Sequence, residues 1–154
     1  MGFSNFMGER PKQSKGIEAK ISVSDYMTKN LISFLPQDTL IDTMETLARN
    51  EITGGPVVSK GNLIGMISES DCMKTLSDSR YFNIPMGSET VEKHMSTIVE
   101  TIDINASIFE AAEKFHKSPY KRFPVLENGK LVGQISQHDV IIAALHLNSQ
   151  NWKH

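Results

Sequence analysis

An α/β (α+β) fold built from two copies of one β-α-β-β-α unit is predicted by three observations. Residues 23–76, moved forward by 68 positions, fall on 91–144 without a gap. The identities crowd into one run, PVVSKGNLIGMISESD against PVLENGKLVGQISQHD. Each copy also passes through the same series of hydrophobic periods and turn signals. One small sheet with two helices is a thin core, so copy is expected to pack against copy.

The elements follow in order. Identical pairs include Val23/Val91, Met27/Met95, Pro56/Pro124, Gly65/Gly133, Ser68/Ser136 and Asp71/Asp139. A short apolar strand comes first, Leu31 to Phe34 and Val99 to Ile102. A helix follows, capped by Asp38 or Thr39 in one copy and Ser107 in the other. Leu40, Met44, Leu47 and Ala48 recur on it at helical spacing, as do Ile108, Ala112 and Phe115. Pro56-Val57 and Pro124-Val125 open a second strand, where proline is tolerated as a first strand residue. Lys60-Gly61-Asn62 and Asn128-Gly129-Lys130 are tight turns into third strands, Leu63–Ile67 and Leu131–Ile135. The closing helices run from Glu69 to about Leu76 and from Gln137 to about Leu147. The organisation expected is an arm over 1–20, a first motif over 21–79, a linker over 80–90, a second motif over 91–147 and a tail over 148–154.

Composition narrows the function. The 154 residues are 39% hydrophobic and 22% charged, with a formal net charge of −2. A general nucleic-acid binder would show a basic excess. The single cysteine, Cys72, excludes an internal disulfide and any multi-cysteine zinc site. The histidines 94, 116, 138, 146 and 154 share no short ligand spacing except 138/146, two helical turns apart, so no metal is expected. No apolar stretch approaches the roughly 20 residues of a membrane span. The N-terminus lacks the apolar core of a secretion signal. A cytoplasmic protein is expected.

The strand-opening Pro-Val, the glycine hairpin and the run Gly65-Met66-Ile67-Ser68-Glu69-Ser70-Asp71, repeated as Gly133-Gln134-Ile135-Ser136-Gln137-His138-Asp139, closely resemble the CBS motif, named after cystathionine β-synthase. The resemblance implies two motifs paired by pseudo-twofold symmetry in one Bateman module, often dimerised into a disk. It also implies clefts for AMP, ADP, ATP, S-adenosylmethionine or a related nucleoside, no required cofactor, and control of a separate partner protein.

An adenosine phosphate needs a carboxylate for its ribose hydroxyls, donors and positive charge for phosphate, and apolar surface for adenine. Asp139 can supply the first, with Ser136 three residues earlier at a strand-to-helix junction, where free helical N–H groups can face an anion. Lys121 and Arg122 precede the second strand, and an arginine fork suits phosphate. By resemblance, Thr28, Ile32 and Ser33 form the other wall of this primary site. A secondary site would use Thr53, Ser68 and Asp71 with Ser96, Val99 and Thr101. Where the second motif has Lys121-Arg122-Phe123, the first has Thr53-Gly54-Gly55. The secondary site is therefore expected to be empty or to take a nucleoside of little negative charge.

Bland readings stand beside these. Ser-x-x-Asp also caps a helix, and capping can coexist with binding. A Lys-Arg pair is ordinarily solvated. Cys72 reads as a buried inert thiol, and the methionines read as core. His138 neighbours Asp139. No Gly-x-Gly-x-x-Gly, Walker loop, Gly-x-Ser-x-Gly or Cys-x-x-Cys is present, so no catalytic residue is assigned and no enzyme is expected. The reading is a regulatory adenine-nucleotide sensor that changes shape on binding and controls a partner. Two alternatives are a dimeric interaction adaptor with vestigial clefts, and nucleic-acid contact through the arm's Arg10, Lys12, Lys15 and Lys20.

Overall fold

The computed structural model describes residues 21–83 and 85–151. The arm assigned to residues 1–20, and Trp152 in the tail, lie outside the described residues. Each repeat opens on one helical turn that the sequence does not announce: α1, Val23–Tyr26, and α4, Val91–His94.

Helix α2, Leu40–Asn50, is capped by Thr39, whose hydroxyl accepts from the Asp42 amide at 3.1 Å. Asp38 accepts from the Leu35 amide at 2.8 Å and closes the turn before it. The hairpin that follows pairs β1, Gly54–Ser59, with β2, Asn62–Ser68. Helix α3 then runs over Glu69–Phe82. It is longer than expected and takes in residues 80–82 of the expected linker. It stops at Asn83, which has a left-handed φ of 53°.

A single 3-10 turn, Met86–Ser88, leads into α4. The second repeat continues with β3, Ile102–Asp103, and α5, Ile108–Lys117. Ser107 and Glu110 form a reciprocal capping box at the start of α5. On α5 Ala111 is buried, whereas the expected core residue Ala112 is exposed. The hairpin of β4, Arg122–Glu127, and β5, Lys130–Ser136, leads into α6, Gln137–Asn151. Both hairpin turns have positive φ at two successive residues, 51° and 78° at Lys60-Gly61 and 49° and 79° at Asn128-Gly129. That is the type I′ pattern whose twist suits paired strands.

The expected first strands are nearly absent. Leu31–Phe34 contributes a single parallel bridge, Phe34 to Val57. In the second copy the strand is β3, which pairs in parallel at Ile102–Val125 and Asp103–Leu126. The reason is that the preceding residues are crossing between the two halves.

The crossing is reciprocal. Val23 is fully buried, but among Ile102, Ile108, Phe115, Phe123 and Ile135 of the second repeat. Val91 is fully buried among Phe34, Leu40, Leu47, Val57 and Ile67 of the first. Backbone bonds fix each exchange. The Val23 amide donates to the Ala106 carbonyl at 2.8 Å and Ile108 to Ile21 at 2.9 Å, while Val91 donates to Asp38 and Leu40 to Glu89, each at 2.9 Å. Each core is completed by a one-turn helix from the other repeat.

Beyond each one-turn helix the chain passes over a glycine. Thr28 and Gln134 exchange backbone hydrogen bonds of 2.8 and 3.0 Å, and Met66 and Ser96 exchange two of 2.9 Å. A Cβ on Gly133 would stand 2.8 Å from the Met27 sulfur and 2.8 Å from the Thr28 oxygen. The absence of a side chain permits this approach, and it explains why glycine and methionine repeat together.

Candidate ligand cleft

Two structurally equivalent helix starts carry the candidate carboxylates. The Ser68 amide and hydroxyl both donate to Asp71 Oδ2, at 2.9 and 3.0 Å, and the Asp71 amide reaches back to Ser68 Oγ at 3.4 Å. The Ser136 amide donates to Asp139 Oδ2 at 2.8 Å, and the Asp139 amide donates to Ser136 Oγ at 3.1 Å. The capping reading is thus realised in both copies. It engages Oδ2, and among the described residues no hydrogen bond reaches Oδ1 of either aspartate. Each carboxylate keeps an acceptor to offer.

A cleft of about 380 Å³ opens beside Asp71. One wall belongs to the first repeat, with Thr53, Met66, Ile67, Ser68 and Asp71. The opposite wall is the crossing segment of the second, Ser96, Ile98, Val99 and Glu100. Tyr120, Lys121, Arg122 and Pro124, at the start of β4, complete it. The volume lies within the usual range for small-molecule sites.

This arrangement differs from the sequence expectation in where the cations lie. The sequence places Lys121 and Arg122 at the Asp139 site and leaves the Asp71 site short of positive charge, yet both residues line the Asp71 cleft. Residues 120–122 enter β4 where the two halves meet. The Lys121 carbonyl accepts from the Gln137 amide at 3.0 Å, at the start of α6, while the residues themselves also face the neighbouring cleft. The Asp71 cleft is therefore not charge-poor.

Of the secondary set, Thr53, Ser68, Asp71, Ser96 and Val99 come together, whereas Thr101 is half-buried and is not part of the cleft lining. The primary set is more scattered. Thr28 lies beside Gln134, two residues from Ser136. Ile32 packs against the first core. Ser33 lines a shallower hollow of about 250 Å³ with Lys29, Val58, Gly61 and Leu131, whose walls include neither Ser136 nor Asp139. Met66, Ile98, Glu100, Tyr120 and Pro124 line the cleft without having been expected there. Glu100 and Tyr120 are immediate neighbours of Val99 and Lys121, which were.

The cleft charges form no ion pair with one another among the described residues. Among the described residues the ion pairs are His94–Glu89 and Lys117–Glu113. Asp71, Glu100, Lys121 and Arg122 take part in neither. The His94 pair braces the cleft from behind. Its Nε2 meets Glu89, and its Nδ1 lies 3.1 Å from the buried Thr75 hydroxyl, which donates to the Asp71 carbonyl at 3.0 Å. The hydrogen bond from His94 holds the Glu89 carboxyl below its ordinary range, helped by the charge of Lys93.

Among the described residues no group of three His, Cys, Asp or Glu side chains is placed to hold a metal, and His138 is exposed. No described helix is long and apolar enough to cross a membrane.

A family model described as CBS domain matches residues 23–78 and again 91–146. An uncharacterized protein of Methanocaldococcus jannaschii is 30% identical over 122 residues, covering 79% of this chain and 43% of that one. A second from the same organism is 26% identical over 153 residues, covering 80% and 90%. The chain therefore spans less than half of the first and most of the second. Among solved structures, CBSX2 in complex with AMP superposes with a TM-score of 0.70 at 25% identity, over 83% of this chain and 98% of that one. The CBS-pair protein CBSX2 from Arabidopsis thaliana gives 0.72 at 25% identity, over 84% and 97%. A protein of M. jannaschii, a proposed archaeal homolog of g-AMPK, gives 0.73 at 26% identity, over 83% and 49%.

Proposed function

This chain belongs to the CBS domain family as a tandem pair, and we propose that it is a regulatory sensor of an adenine nucleotide, bound in the cleft between Asp71 and Arg122. The observation that carries the reading is a set of charges around one cleft that belong to no ion pair among the described residues. Asp71 keeps a free carboxylate oxygen for ribose hydroxyls, Lys121 and Arg122 offer charge to phosphate, and Met66, Ile98, Val99 and Pro124 offer apolar surface to a base. The AMP complex of a structural neighbour supports the ligand class.

The mechanism follows from the crossing. The cleft has one wall from each repeat, so a bound nucleotide favours one relative setting of the halves. The shift is limited by the difference in affinity between the two settings. The sensor acts on a separate partner rather than by catalysis. A buried free cysteine fits a reducing compartment such as the cytoplasm. Exposed apolar side chains recur at equivalent repeat positions, Ile41 with Phe109 and Met73 with Ile141. They support a homodimer, and they also favour the second reading, an adaptor whose clefts are vestigial.

The deciding experiment is thermal unfolding with AMP, ADP, ATP or S-adenosylmethionine, on the full chain and on Arg122→Ala. A ligand at about a hundred times its dissociation constant adds about 2.7 kcal/mol, or roughly 5–10 °C. A shift of that order, lost in Arg122→Ala, supports the sensor. A flat response in nucleotide-free protein favours the adaptor.

A further inference from the structure

We propose that Glu100 is the specificity-determining residue of this cleft and favours a nucleoside monophosphate over the triphosphate. The inference rests on the nucleotide reading above and deepens it.

Position comes from the cleft lining, which Glu100 shares with Lys121 and Arg122. Ile102 pairs in parallel with Val125, and Asp103 with Leu126. Glu100 stands two residues before the paired part of its strand, and Arg122 opens β4, the strand beside it. The carboxylate shares the cleft with both cations, and Asp71 stands on α3 in the other repeat. Glu100 lines the cleft, is exposed, and belongs to neither of the ion pairs among the described residues. Its charge is not consumed by Lys121 or Arg122.

Charge counting then ranks the ligands. A phosphate monoester carries about −1.5 to −2 at neutral pH, which two cations match. Glu100 offsets one of those two positive charges within the cleft. Each further phosphoryl group brings about one more negative charge, which the cleft has no additional cation to meet and which the Glu100 carboxylate repels. Screening at physiological salt extends over about 8 Å, so the discrimination is moderate and shrinks as salt rises. Glu100 has no counterpart in the other repeat, where Ile32 occupies the equivalent position.

The test is titration calorimetry of AMP and ATP, with EDTA present to keep ATP metal-free, on the wild-type chain, Glu100→Gln and Glu100→Asp. Wild type should prefer AMP by about tenfold or more, and Glu100→Gln should narrow the ratio about five- to tenfold, chiefly by tightening ATP. Glu100→Asp, which keeps the charge, should stay near wild type. An unchanged ratio in Glu100→Gln with AMP still bound, or tighter ATP than AMP in wild type, overturns the role of Glu100 alone. Binding of neither nucleotide to any of the three folded chains overturns the nucleotide reading and this inference with it.

Discussion

Gly65 lies so close beneath Met95 that a Cβ on it would stand 2.6 Å from the methionine sulfur and 2.8 Å from the Ser96 carbonyl oxygen. Sulfur can swing aside, but the backbone oxygen is held by its hydrogen bond with Met66. Gly65→Ala should therefore destabilise the fold by about 1–3 kcal/mol, the usual cost of overpacking. Gly133→Ala should cost a similar amount. Gly87, where an added Cβ would meet nothing within 4 Å, is the control and should change little. Urea denaturation of the three variants measures this.

The paired aspartates separate capping from binding. Asp71→Ala and Asp139→Ala each remove the partner of a helix-start amide, so each should cost about 1 kcal/mol of stability. Only Asp71 lines the larger cleft. Asp71→Ala should also weaken nucleotide affinity by about tenfold or more, as loss of a charged hydrogen bond does. Calorimetry at matched folded fraction distinguishes the two.

The Glu89 carboxyl titrates below its ordinary value because His94 hydrogen-bonds to it. A depressed folded value means that this contribution to stability is complete above the unfolded carboxyl value and is lost as pH falls through the folded one. Glu89→Gln should flatten the acid limb of the stability profile and leave the rest of the curve parallel to wild type. Denaturant midpoints between about pH 6 and pH 3 give the answer.

Cys72 is buried against the first core, and burial pushes its thiol upward, with Asp71 and Glu69 adding to the effect. A thiolate is the reactive form. Native protein at pH 8 should react with a disulfide reagent far more slowly than protein in denaturant. Equal rates would show that α3 opens readily.

Much of the fold was legible because the chain states it twice. The helix caps at Thr39 and Ser107 and the hairpins at Gly61 and Gly129 are local features, and local residues specify them. The exchange of Val23 and Val91 between cores was not legible. A buried valine reads the same whichever core receives it, and only the tertiary arrangement decides. The same cause hid that Lys121 and Arg122 line the Asp71 cleft. Sequence order puts them next to the second motif's own strand, whereas the halves meet so that they reach the other motif's cleft. Glu100 gave no signal because a nucleotide calls for cations and ribose acceptors, and a repelling charge has no motif.

The reciprocal crossing also sets an order of events during synthesis. The Val23 turn leaves the ribosome well before the partners that bury it, from Ile102 to Ile135. The first core in turn waits for Val91. Contacts so distant along the chain must meet the entropy of loop closure before they return any stability. Ile21 to Met27 thus remains unburied until those partners follow, and this core closes only after strand Lys130–Ser136 has emerged.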